Sequence, residues 1–107
     1  MFTRIVELTS KPGKSKQLAE TIDEIVLPIL KKQKGFVDET VFVSDEDDSR
    51  VLAQGFWNTK EDAEQYHRAE YQNVHETIRH LLESEPVIRT FNVHSSTSHR
   101  VAAGKAA

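Results

Sequence analysis

The sequence predicts an α+β domain of the ferredoxin-like kind, ordered β-α-β-β-α-β, with a four-stranded antiparallel sheet carrying helices on one face. Three observations carry this. β-branched or alternating segments recur at 2–9, 36–44, 50–58 and 86–94. Stretches with apolar residues three and four apart fall between the first and second of these and between the third and fourth. The two middle strands are joined by a short polar turn, as in a hairpin. The 107 residues suit one domain, with residues 1–94 as its body and 95–107 as a tail or arm.

FTRIVELT (2–9) is the first strand and stops at the turn KPGK. From Ser15 to Lys34 the apolar residues Leu18, Ile22, Ile25, Val26, Ile29 and Leu30 paint one stripe on a helix. Pro28 lies inside that stripe and lacks a backbone donor, which predicts a kink or break near Leu27. Gly35 ends the helix as a left-handed cap. FVDETVFVS alternates, with Val37, Val41 and Val43 on one face and Phe36 and Phe42 on the other. SDEDDS is a solvated turn; it lacks the glycine and terminal glutamate of a calcium loop. RVLAQGFWN is the returning strand. Thr59 caps the next helix, and Asp62 sits where the helix dipole favours an anion. That helix carries Ala63, Tyr66 and His67. A second helical stretch aligns Tyr71, Val74, His75, Ile78, Leu81 and Leu82, so the second helix is expected in two pieces. Pro86 stops it, and PVIRTFNVH is the last strand. The tail SSTSHRVAAGKAA is expected to be a loose arm.

Bulky apolar residues fall on both faces of these strands, and two helices cover only one. A second copy of the chain is the economical cover for the other, which predicts a homodimer with sheets face to face, closing into a dimeric α/β barrel. Net charge is −3 and the lysines (Lys11, Lys14, Lys16, Lys31, Lys32, Lys34) are interleaved with Glu20, Asp23 and Glu24. This is a solvated helix face and argues against nucleic acid as partner. The absence of cysteine excludes disulfides and thiolate chemistry. No apolar run has the length of a membrane span, and MFTRIVEL lacks a signal peptide's apolar stretch, so the expected location is cytoplasmic.

KPGK opening the first helix, KGF after it, FWNTKEDAEQY at the strand-to-helix junction and EYQNV further on resemble the antibiotic biosynthesis monooxygenase family of dimeric α/β barrels. The resemblance covers about residues 2 to 94. It implies a pocket between the sheet and the helices of each subunit. It also implies oxygenase chemistry that needs no metal or flavin: a phenol or quinol is deprotonated in a dry pocket and its anion passes an electron to molecular oxygen. Relatives also include haem degraders, isomerases and proteins of no known reaction.

The candidate site residues come from the strand end and the inner helix faces. Trp57 matches a tryptophan common in the family; its ring can stack on an aromatic ligand, or seal the barrel rim. Phe56 and Tyr71 are further candidates for contact with an aromatic substrate. Tyr66 stands where many relatives carry histidine, and tyrosine is a poor base near neutral pH. His67 is one step round the helix and can supply the imidazole. His75 is expected to point inward, as general base or as an ordinary hydrogen-bonded core residue. By resemblance it also corresponds to the axial ligand of the haem-degrading branch. That branch's catalytic asparagine and tryptophan would fall at Val6 and Tyr66. His94 follows the last strand, His80 is expected on the outer helix face, and His99 lies in the tail. No histidine pair has zinc-helix spacing, so no metal is expected. Arg4 and Arg89 are expected at solvated strand edges. The leading expectation is a cofactor-independent monooxygenase. The alternatives are a haem-binding barrel with His75 as ligand and a non-catalytic stress or scaffold dimer.

Overall fold

A computed structural model describes residues 1–101. Strands β1 (Phe2–Thr9), β2 (Phe36–Val43), β3 (Arg50–Trp57) and β4 (Val87–Asn92) form one antiparallel sheet in the order β2-β3-β1-β4. Two helical segments, α1 (Ser15–Thr21) and α2 (Leu27–Lys31), are joined by a π-helical turn (Ile22–Val26). Helix α3 (Lys60–Ile78) and a short 3-10 turn (Arg79–Leu81) complete the layer. This is the expected ferredoxin-like α+β fold.

Period-two alternation decides which residues meet the helices. On β1 these are Phe2, Arg4, Val6 and Leu8; on β3 they are Val51, Ala53, Gly55 and Trp57, paired with them in reverse order. Leu18, Ile22, Val26 and Leu30 descend on this face from the first helical layer, and Ala63, Tyr66, Val74 and Ile78 from α3. Buried apolar area of this kind supplies most of the driving force.

Three local expectations need correction. Pro28 does not break the first helix near Leu27. The chain widens one turn earlier, and the Leu27 N–H reaches back five residues to the Ile22 carbonyl. A π turn absorbs the register defect that a proline imposes while both flanking segments stay helical. The second helix is not in two pieces: α3 is continuous for 19 residues. His67, Arg68, Ala69 and Glu70 interrupt the apolar pattern without supplying any helix breaker. On β2 a bulge between Phe36 and Asp38 turns Phe36 onto the same side as Val41, against Trp57.

The caps behave as expected. Thr59 Oγ1 accepts the Asp62 N–H at 3.1 Å. Gly35 has φ +81°, and a Cβ there would collide with the Asp62 side chain at the start of α3. Gly13 also has positive φ, +72°, but faces open space.

The sheet face away from the helices carries Ile5, Leu52, Phe56, Phe42, Val87 and Phe91. Phe42 and Phe91 are about half exposed, at 46% and 52%. The start of the tail lies on this face. His99 stacks on Phe56 with ring centroids 4.3 Å apart, and its Nε2 meets Asp38 Oδ2 at 2.7 Å. The rest of the expected arm, 102–107, lies outside the described residues.

Gly35→Ala should cost more than Gly13→Ala. Both add left-handed strain of about 1–2 kcal/mol, but only the first adds a collision. Urea midpoints of the two variants measure the difference, and equal losses would show that Asp62 yields freely.

Candidate active site

One row of the inner sheet face is polar. Strand register aligns Glu39 with Gly55, Gly55 with Arg4, and Arg4 with Thr90. The rows on either side are mainly apolar: Phe36, Trp57 and Phe2, ending at Asn92, on one, and Val41, Ala53, Val6 and Ile88 on the other. Arg4 is therefore buried, at 8% exposure, although the sequence reading put it at a solvated edge. Arg89 keeps that expectation: it is exposed and meets Glu7 Oε2 at 2.6 Å on the outer face. Gly55 leaves the middle of the row open. A Cβ there would lie 3.4 Å from Trp57 Nε1 and 3.5 Å from Glu39 Oε1, so both groups border the same gap.

Helix α3 supplies the partners of the buried guanidinium. Arg4 Nη2 lies 2.9 Å from His67 Nδ1. Its Cζ stands 4.7 Å from the centre of the Tyr71 ring and 5.5 Å from that of Tyr66, within reach of cation–π attraction. A guanidinium only donates, so Nδ1 accepts and a neutral His67 carries its proton on Nε2. His67 stacks on Tyr71, with centroids 4.8 Å apart, and Tyr66 stacks on Trp57 at 5.3 Å. The four-residue spacing of His67, Tyr71 and His75 sets them in line along one helix edge.

Arg4 separates two spaces. Inside is a cavity of about 40 Å³ whose polar lining is Arg4, Glu39, Tyr66 and Tyr71, among Val6, Ile22, Val26, Ala53, Val74 and other apolar residues. That is room for a water or two, with polar groups to hold them. Outside, between α3 and strands β1 and β4, is a groove of about 290 Å³ bordered by Phe2, Arg4, Ala63, His67, Ile88 and Thr90. This is near the lower end of small-ligand sites.

Burial shapes the titration of these groups. Desolvation lowers the Arg4 pKa against the pull of Tyr66, Tyr71 and Glu39. It pushes Glu39 up to about 7, with Arg4 opposing and Asp23 assisting. Tyr66 is pushed up to about 12 by burial, and Tyr71 is raised for the same reason. His67 is lowered by desolvation and then by the charge of Arg4, so it stays neutral near pH 7.

The residues expected at the site are thus partly brought together. Tyr66, His67 and Tyr71 converge on Arg4. Trp57 is fully buried behind Tyr66 and borders neither space. Phe56 is not brought to the site, because strand alternation puts it on the opposite sheet face under His99. His75 does not point into the core. Its neighbours Val74 and Ile78 occupy the inward positions, and its Nε2 turns to Glu85 at 3.6 Å. Haem finds no support in these residues: the inner cavity is about 40 Å³, far too small for a porphyrin, and His75 faces Glu85. Among the described residues no cluster of three potential metal ligands occurs. Glu39 and Gly55 were missed, and Arg4, which facing inward would hold an anionic oxygen, was expected at the solvated edge. The available signal was parity: Arg4 lies between Phe2 and Val6, and Glu39 between Val37 and Val41, each a charge on an apolar face.

A buried cation walled by aromatic rings, beside a groove under the helices, is the candidate site of this ferredoxin-like scaffold. The chain belongs to the antibiotic biosynthesis monooxygenase family, whose model matches residues 1–77. It is similar in fold to the monooxygenase of the ActVA-Orf6 gene of Streptomyces coelicolor, solved with nanaomycin D. The TM-score is 0.77 and identity 16%, over 92% of each chain. SnoaB of Streptomyces nogalater, a cofactor-independent oxygenase, matches with TM-score 0.74 and 17% identity over 92% of this chain and 97% of that one. NE2512 of Nitrosomonas europaea, of unknown function, matches at 0.77 and 16% over 92% and 94%. No curated protein matches the sequence.

The raised Glu39 pKa makes a stability prediction. Between its ordinary value of 4.5 and about 7 the folded chain holds a proton that the unfolded chain has lost. Stability from this group is therefore full at acid pH and falls as pH rises through that window. Glu39→Gln should flatten the fall, so the variant gains on wild type above pH 7. Urea midpoints across the range test this; parallel curves would refute it.

Proposed function

We propose that the protein is a small cofactor-independent monooxygenase acting on a phenol or quinol, with molecular oxygen as co-substrate. The observation that carries this reading is Arg4, a buried guanidinium held by His67 between the groove and the cavity, with Tyr66 and Tyr71 beneath it. Family membership and the oxygenases of similar fold support it.

In this reading the ring of the substrate lies in the groove and its hydroxyl oxygen accepts from an Arg4 N–H that His67 leaves free. A fixed cation in a partly dry site favours the phenolate over the phenol and needs no reorganisation to do so. The electron-rich anion passes one electron to oxygen, and the resulting radicals combine to form a carbon–oxygen bond. Loss of water then yields the quinone. One oxygen atom enters the ring; the other leaves as water with the two hydrogens that the substrate gives up. The substrate supplies every electron. Tyr66 serves as a wall and hydrogen-bond donor and His67 as the group that aims Arg4. His75, at the Glu85 end of the line, supports Tyr71.

The same reading includes a cytoplasmic homodimer joined through the outer sheet face, where Phe42, Phe91 and Val87 stand about half exposed. An apolar surface of this kind marks an interaction site. The described helices include none long and apolar enough to cross a membrane.

Oxygen uptake with a panel of hydroquinones, naphthols and anthrones, in chelator and without added cofactor, tests the activity. Turnover above the spontaneous rate is expected, and Arg4→Gln should lower kcat by about 10²–10³-fold, as loss of one preorganised electrostatic group does. No turnover by wild type with any of them would sink the reading. For assembly, light scattering should give twice the chain mass for wild type and the single mass for Phe42→Asp/Phe91→Asp; a wild-type monomer contradicts the dimer.

A further inference from the structure

A phenol bound at Arg4 must lose its hydroxyl proton, and the titratable groups around Arg4 and along the same helix differ in their ability to take it. His67 has its Nδ1 lone pair turned to a guanidinium, and a second positive charge there would be repelled. Tyr66 and Tyr71 hold their own protons too tightly to exchange them near neutral pH. His75 is turned to Glu85 and borders a different depression. Glu39 remains. It borders the inner cavity together with Arg4, and it also borders an open depression between α2 and β2, beside Leu27, Lys31 and Phe36. No hydrogen bond or ion pair among the described residues occupies its carboxylate. Gly55, between Glu39 and Arg4 in the row, adds no side chain of its own, and Trp57 Nε1 and Glu39 Oε1 stand 3.4 and 3.5 Å from where its Cβ would be.

We propose that Glu39 is the acid–base group of this site, exchanging the substrate's hydroxyl proton with solvent through the inner cavity and the α2–β2 edge. The proposal rests on the phenol or quinol reading above. The step is a proton transfer only. The substrate O–H bond breaks, water in the cavity relays the proton, and an O–H bond forms on the Glu39 carboxylate. The acid so formed keeps the proton while the anion is bound, and gives it up to the cavity or to solvent at the depression only when water is expelled from the oxygenated intermediate. The charged and titratable groups around Glu39 are Arg4 from β1, Asp23 from the π turn, Tyr66 from α3, Lys31 from α2 and, beside it on β2, Asp38. Arg4 sets the electrostatic direction of the relay, since it draws the anion to the substrate oxygen and leaves the proton to the carboxylate.

The test uses the full chain and the coloured phenol 1,8-dihydroxyanthraquinone as probe. Its visible spectrum reports ionisation, and calorimetry in buffers of different ionisation enthalpy counts protons released on binding. Wild type above about pH 7, where Glu39 is charged, is expected to bind the probe as phenolate with no net proton release. Glu39→Gln should either leave the probe un-ionised or release one proton per probe bound. Glu39→Asp should keep part of the wild-type uptake, which guards against a Gln variant that simply misfolds. With a turned-over substrate, wild-type kcat/KM should fall on the acid side with an apparent pKa near 7, and Glu39→Gln should lack that limb. Identical probe spectra together with identical proton counts and pH profiles in wild type and Glu39→Gln would overturn the role of Glu39 and leave the monooxygenase reading standing. Failure of wild type both to bind the probe and to consume oxygen would overturn that reading and this proposal with it.

Discussion

A single arginine set into an apolar sheet face is the constraint around which the interior is organised. Removing a guanidinium from water is expensive unless its donors and its charge are met. Arg4 meets this with one hydrogen bond to His67, two aromatic faces and a carboxylate one gap away across Gly55. None of these is a close ion pair. The charge is therefore only partly neutralised, and an anionic ligand oxygen in the neighbouring groove would complete the set.

The local irregularities of the fold serve this arrangement. The bulge near Phe36 sends that ring inward, where it meets Trp57 edge-on, and Trp57 in turn backs Tyr66. The π turn carries Ile22 and Val26 over the cavity and brings Asp23 near enough to Glu39 to disfavour its charge. Unbroken α3 holds His67, Tyr71 and His75 on one edge; a break after His67 would have separated the first from the other two. π turns and bulges change side-chain direction at small cost, which is why they recur at functional sites.

The two sheet faces differ. The inner one has its apolar rows closed by helices and carries one polar row. The outer one keeps Phe42, Val87 and Phe91 in partial contact with solvent, and the described part of the arm meets the Phe56 end through His99. Because strand residues alternate, Arg4 inside and Thr3 and Ile5 outside are immediate neighbours in sequence, so the candidate site and the apolar outer face share the same backbone.

The order of elements, the helix stripe from Leu18 to Leu30, the Thr59 cap and the left-handed Gly35 were legible in the sequence, because each depends on residues within a turn or two of one another. Tyr66 and His67 were legible together from their place on one helix, while Tyr71 was read on a separate stretch and joined them only because α3 is continuous. The buried state of Arg4 and its pairing with His67 join residues far apart in the chain, and strand register together with the packing of α3 on the sheet decided them. Phe56 and His75 show the limit from the other side. Residue type and helical period suggested the site, while the parity of β3 and the packing of Val74 and Ile78 turned both away from it. Sequence determines periodicity; which of two faces a charge occupies follows only when the strands are paired and the helices have chosen a side.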